Sequence, residues 1–137
     1  MVTCFIRRPD GRVLVLRRSE LVGTHKGKWS GVSGYIEASA TPFATAYKEL
    51  REEVGARFEQ LRFVREAQMI MLDDPLTGKR WAVHPFLFDD LGVEVVLDWE
   101  NVEHRWVTPE ELSGLDTVPG LREALDVALG LGGGAAP

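Results

Sequence analysis

Apolar positions along the chain fall into short runs separated by Gly, Pro and charged residues. Val2 to Ile6 and Val13 to Arg17 are apolar and rich in β-branched residues, and Pro9-Asp10-Gly11 between them supplies the backbone angles of a tight reversal, so the chain predicts an opening β-hairpin. Leu21 to Trp29, with Gly23, Lys26, Gly27 and Lys28, reads as a loop, and Gly31 to Ile36 as a Gly-rich approach with short strand pieces. Thr41-Pro42 is an N-cap followed by a first-turn proline, and Phe43, Ala46, Tyr47, Leu50 and Val54 recur at spacings of three and four, which predicts an amphipathic helix ending at Gly55. Beyond it the pattern predicts one long or bent strand over Leu61–Met71, a turn over 73–79, a strand over Trp81–Phe88 with Pro85 at a bulge or an edge, further strands at Val93–Leu97 and Arg105–Val107, a short helix from Thr108 to Leu112 and a final amphipathic helix over Pro119–Leu129.

These elements do not alternate as regular βαβ units, and neither a GxGxxG after a strand nor a GxxxxGK[ST] is present, so dinucleotide-binding and P-loop folds are poor fits. A mixed sheet with helices packed on it fits best. The 137 residues suit one domain, residues 1–129, followed by a flexible Gly/Ala-rich tail, residues 130–137. A lone Cys4 gives neither an internal disulfide nor a zinc cage, no apolar run reaches the ~18 residues of a membrane-spanning helix, and the first residues lack the shape of a secretory signal. The expectation is a cytoplasmic enzyme or binding domain. Net charge is −5, which excludes bulk attraction to polyanions, but residues 1–30 carry seven Lys/Arg against two acids while the remainder carries nine against nineteen. That asymmetry suits a phosphate-bearing ligand meeting a cation held by carboxylates.

Local helix stability does not explain one stretch, Lys48-Glu49-Leu50-Arg51-Glu52-Glu53-Val54-Gly55. Glu49, Glu52 and Glu53 share one helical face, where like charges at three- and four-residue spacings cost roughly 0.2–0.5 kcal/mol per pair. Glu52 and Glu53 also sit in the last turn, where the helix dipole disfavours anions. A solvated face partly neutralised by Lys48 is one explanation. A hard divalent cation, which takes carboxylate oxygens and keeps open positions for phosphate, is the other. Ser33-Gly34, just before the helix, favours the second, because Gly34 lets backbone groups approach a ligand closely.

With these residues in view the sequence resembles a Nudix hydrolase. The family box matches in spacing from Gly34 through Ala40, Lys48-Glu49, Glu52-Glu53 and Gly55 to Ala56, with Ala40 where the family has Glu and Lys48 where it has Arg. The strand with Val13 to Arg18, Lys28-Trp29-Ser30 and Trp106 to Leu112 extend the similarity over most of the chain. The resemblance implies an α/β/α sandwich around a mixed sheet and hydrolysis of a nucleoside diphosphate linked to a moiety X, with Mg²⁺ or Mn²⁺ as cofactor. It implies Glu49, Glu52, Glu53 and the Ser33 carbonyl as metal-shell ligands, with Glu53 the first choice for a direct one. Glu52, Glu53 and Glu100 stand as catalytic candidates, Glu100 ahead of Glu103 as general base by its spacing from Trp106. Ala40 and Lys48 put rate and loop rigidity in question more than metal binding, with Glu37 as a substitute carboxylate, and motivate an alternative reading as a catalytically weak nucleotide-binding or regulatory domain.

Arg18, Lys28 and Trp29 are candidates for holding substrate, the cations through phosphate and Trp29 or Tyr35 by stacking on a base. Arg17 and Lys26 are weaker candidates for the same phosphate contact. His84 and His104 read as packing residues. The expected partner is a small nucleotide-type molecule, with neither membrane nor specific nucleic-acid binding. The resemblance admits a homodimer, though no exposed apolar stripe forces one. Isomerisation of an isoprenoid diphosphate, known on related folds, needs a reactive cysteine, and Cys4 falls in the first predicted strand.

Overall fold

In the computed structural model residues 1–131 are described; most of the expected flexible tail, residues 132–137, lies outside them. The opening hairpin forms as expected from β1 (Val2–Arg7) and β2 (Val13–Arg18), reversing through Gly11 at φ 89°. The two strands pair only beside their turn, Arg7 opposite Val13, and then splay. Into the gap run β3 (Trp29–Ser30), antiparallel to β2, and β4 (Val32–Gly34), antiparallel to β1. Gly31 between them is tight, since a Cβ there would lie 3.0 Å from Thr3 Cγ2 and 3.1 Å from the Cys4 carbonyl. This wedge delivers Ser33 and Gly34 to the foot of the following helix.

The helix, α1 (Pro42–Val54), is specified at both ends by its sequence. Thr41 Oγ1 accepts from the Ala44 N–H at 3.1 Å, and Gly55 closes the helix at φ 72° with its N–H on the Arg51 carbonyl at 3.1 Å. β5 (Leu61–Glu66), β6 (Ile70–Asp74), β7 (Lys79–Asp90) and β8 (Asn101–Val107) complete the sheet, and α2 (Leu121–Ala128) lies near the end. Strands run β3-β2-β1-β7-β5, with β4 on β1, β6 on β7 and β8 on β2; β1 and β7 are parallel, the other pairs antiparallel. The sheet is buried on both sides, and alternate residues divide between two cores. Cys4, Ile6, Leu14, Leu16, Phe86 and Phe88 pack against Ala46, Leu50 and Val54 of α1. Phe5, Val13, Val15 and Leu87 pack against Leu121, Leu125 and Ala128 of α2. This is the helix–sheet–helix sandwich expected. Among the described residues no helix is long and apolar enough to cross a membrane.

Four expectations are corrected. Leu61–Met71 is not one strand but two, β5 and β6, which pair with opposite halves of β7. Pro85 marks the changeover on an interior strand. His84 donates its N–H toward β1, to the Met1 carbonyl at 2.8 Å, so the next nitrogen faces the side where β5 and β6 part and no ladder donor is needed. Val93–Leu97 is apolar but forms no strand; the Val96 and Asp98 N–H groups bond the Val54 and Glu53 carbonyls at the end of α1 instead. The short helix after Thr108 is a 3₁₀ turn, Pro109–Gly114, closed by the Thr108–Glu111 capping box. Thr41→Ala removes the one side-chain cap of α1 and is expected to lower unfolding free energy by about 1 kcal/mol; urea denaturation monitored by circular dichroism checks this.

Candidate active site

The last turns of α1 present Glu49, Glu52 and Glu53 beside β4. Glu49 fits beneath Gly34 so closely that a Cβ there would overlap its carboxyl group, which is the physical reason a glycine stands at this position. Glu53 is 5 % exposed. Its Oε1 accepts from Asn101 Nδ2 at 3.3 Å, while its Oε2 is buried with no hydrogen-bond partner. Burial, then contact with Glu49 and the charge of Glu100, push the Glu53 carboxyl up to about 10, against the opposing Asn101 hydrogen bond. Glu52 is half exposed, and the Lys48 ammonium lies 3.6 Å from it and 3.7 Å from Glu49.

The segment after β7 folds back to complete the group. Its N–H bonds to the end of α1 bring Asp98, Glu100 and Asn101 alongside Glu53. Asp98 accepts from the Glu100 N–H at 3.1 Å. Glu100 is raised above the usual carboxylate range by burial and then by Asp98 and Glu49, with Arg18 opposing. Asp98 is raised by burial, with Glu52 adding to the shift. Among the described residues no group of three or more His, Cys, Asp or Glu side chains stands close enough together to hold a metal ion as they are placed. The donor chemistry nevertheless fits a hard cation. The side-chain donors are carboxylates, and a buried carboxylate oxygen without a partner is a group that a divalent cation would satisfy in place of a proton.

A cleft of about 280 Å³ opens beside these residues. Ser33, Gly34, Glu49, Glu100 and Arg18 line one part, and Tyr35, Leu72, Trp81 and Val83 another. Of the residues singled out by sequence, Ser33, Glu49, Glu100 and Arg18 therefore reach the cleft, Glu53 lies buried behind Glu49, and Glu52 lies at the solvent rim. The structure does not bring Lys28 or Trp29 there. Lys28 Nζ is held by Asp116 at 2.8 Å. Trp29 is buried in the α2-side core under the Arg105 guanidinium, 4.9 Å from its ring centroid. Glu103 pairs with Arg17 at 3.0 Å, away from the glutamates. His84 and His104 do not line the cleft, whereas His25, not singled out, does; its Nε2 lies 2.8 Å from Asp74 Oδ2, off the axis of a linear hydrogen bond. Sequence reasoning also passed over Asp98, Asn101 and Trp81. The first two carried a signal, as polar residues flanking Glu100. Trp81 carried none to separate it from the three other tryptophans.

The chain matches the NUDIX domain family over residues 1–127, and it belongs to that family. It is 31 % identical over 119 residues to a protein of Mycobacterium tuberculosis named "Putative 8-oxo-dGTP diphosphatase 3", covering 82 % of this chain and 52 % of that one. It is 29 % identical over 102 residues to the mouse asymmetrical bis(5'-nucleosyl)-tetraphosphatase, covering 72 % and 65 %. The chain thus spans about half the length of the mycobacterial relative. Its fold superimposes on a MutT protein from Methanosarcina mazei Go1 with a TM-score of 0.72 at 29 % identity, covering 91 % of this chain and 88 % of the other.

Two outcomes follow from the carboxylate geometry. The folded chain keeps Glu53 protonated up to about pH 10, whereas the unfolded chain releases that proton in the usual carboxylate range. Stability in EDTA is therefore greatest at low pH in this respect and falls as pH rises through that window. Urea midpoints in EDTA should fall between pH 6 and 9, less steeply in Glu53→Gln, and Mg²⁺ should raise the midpoint of the wild type but not of the variant. Gly34→Ala, whose methyl group displaces the Glu49 carboxyl, should leave the fold intact and weaken the Mg²⁺-induced rise in melting temperature, measured by scanning calorimetry.

Proposed function

We propose that this domain hydrolyses the diphosphate bond of a nucleoside diphosphate linked to a second moiety, using Mg²⁺ or Mn²⁺. The observation that carries this reading is the unpartnered, buried Glu53 Oε2 behind Glu49, which itself fits under Gly34 and lines a cleft of about 280 Å³. Glu49 and Glu53, with Glu52 and the Ser33 carbonyl, are the residues that would hold the cation. When bound, it neutralises the diphosphate oxygens and acidifies a water.

The chain's own residues supply the rest. Glu100 faces the cleft with a carboxyl raised above its ordinary value, chiefly by burial, which makes its ionised form a stronger base toward the proton of the attacking water. Arg18, held by its Nε on the Thr24 carbonyl at 3.0 Å, presents its charge to the phosphates from the cleft wall. Asn101 fixes the Glu53 carboxyl through Oε1 and leaves Oε2 free to act. The lone Cys4 is buried, in keeping with a reducing compartment such as the cytosol and with no role as a nucleophile.

One observation favours a second reading, a catalytically weak nucleotide-binding domain. The Lys48 ammonium already stands between Glu49 and Glu52 and competes with a dication for the same oxygens. Phosphate release from nucleotide sugars, dinucleoside polyphosphates and oxidised nucleotides, with Mg²⁺ or Mn²⁺, separates the two. We expect turnover of at least one substrate, abolished by EDTA and reduced about 10²-fold or more in Glu53→Gln and Glu100→Gln. Silence across the panel with retained nucleotide binding selects the second reading.

A further inference from the structure

We propose that Tyr35 and Trp81 form the platform that holds the nucleobase, so that a substrate lies with its ring against this pair and its phosphates toward Arg18 and the Glu49–Glu100 carboxylates. The nature of the ligand rests on the hydrolase reading above; the platform itself rests on separate observations. Tyr35 is 67 % exposed, although it directly follows Gly34 at the heart of the site. Packing does not account for an aromatic ring left in water. Its one aromatic neighbour is Trp81, with ring centroids 5.6 Å apart and planes inclined at 40°. Both rings line the cleft, and Leu72, opposite Trp81 in the β6–β7 ladder, adds apolar wall together with Val83. Lys79 Nζ lies 5.6 Å over the Trp81 ring and holds it from the solvent side.

The other tryptophans are unavailable to this cleft. Trp29 and Trp106 are each covered by a guanidinium, from Arg105 and Arg8, and Trp99, though exposed, does not line it. Charge sets the orientation. Next to the aromatic pair the cleft wall carries Asp73 and Asp74, whose charges repel phosphate; Asp74 is buried with its oxygens on the Leu76 N–H and His25, so the exposed Asp73 is the one left to accept an N–H from the edge of a base. Arg80 and His25, the partners of those two aspartates, are already engaged, whereas Arg18 lies in the wall with Glu100. A planar ring on Tyr35 and Trp81 with phosphates toward Arg18 satisfies both ends, and the reverse placement satisfies neither. Stacking is tolerant of base identity, because every base presents a π-face.

Two non-hydrolysable probes that share the phosphate portion and differ in the nucleoside test this directly: adenosine 5'-(α,β-methylene)diphosphate and methylenediphosphonate, titrated by calorimetry with Mg²⁺ present. The wild type should prefer the nucleoside probe. Tyr35→Ala and Trp81→Ala should each weaken that probe about tenfold, as expected for loss of one stacked ring, and leave methylenediphosphonate unchanged within about twofold. Tyr35→Phe and Trp81→Phe should restore affinity, with ligand quenching of tryptophan fluorescence lost only in Trp81→Phe. The proposal is overturned if the wild type shows no preference, if both alanine variants bind the nucleoside probe like wild type, or if they lose both probes alike. Turnover without the preference would remove the platform and leave the hydrolase reading standing; the preference without turnover would do the reverse.

Discussion

A carboxylate with one oxygen unpartnered, inside a protein and beside other carboxylates, is an unstable arrangement unless a proton or a cation relieves it. Glu53 is in that position, and the surrounding structure holds it there. Ala46, Leu50 and Val54 of the same helix are locked into the core against β1, β2 and β7, so α1 cannot turn Glu53 outward without losing that packing. Gly34 removes the side chain that would separate Glu49 from the backbone of β4. The segment after β7 ties itself to the Glu53 and Val54 carbonyls and places Asp98, Glu100 and Asn101 around the same point. The fold thus spends stability to keep like charges together, as expected where local rules yield to a site.

The two departures from the family pattern fit this picture. Lys48 is drawn between Glu49 and Glu52, a flexible ammonium in place of the planar guanidinium fork an arginine would present. It neutralises the outer part of the cluster from a solvent-exposed position and leaves the buried oxygen of Glu53 untouched. Ala40 leaves no carboxylate at its position to pair with this lysine, whose principal partners are those two helix glutamates. Charge balance at the rim has therefore changed, while the inner acidic pair and its glycine have not.

Features encoded locally were legible in the sequence. The hairpin turn, both ends of α1, and the shared helical face of Glu49, Glu52 and Glu53 all follow from residues within a few positions of one another. What escaped depended on partners distant in the chain. Val93–Leu97 has the composition of a strand, but its hydrogen bonds go to a helix end some forty positions earlier. Pro85 carries a true signal with a different consequence: it marks where two partner strands part on an interior strand, not a bulge or an edge. Trp29 and Trp81 are chemically identical in the sequence, and only the wedge of β3 between splayed strands decides that the first is core and the second faces the cleft. Lys28 likewise looked free until Asp116, far along the chain, claimed it.

The claim on which this account rests is that the Glu49–Glu53 pair exists to gather a hard dication. Anomalous diffraction at the manganese edge, from crystals grown with Mn²⁺ and a non-hydrolysable nucleoside diphosphate, tests it most directly. The account predicts a peak bounded by the Glu49 and Glu53 carboxylates and the backbone at Ser33 and Gly34. No peak there, with the two carboxylates turned apart while nucleotide fills the cleft, would contradict it.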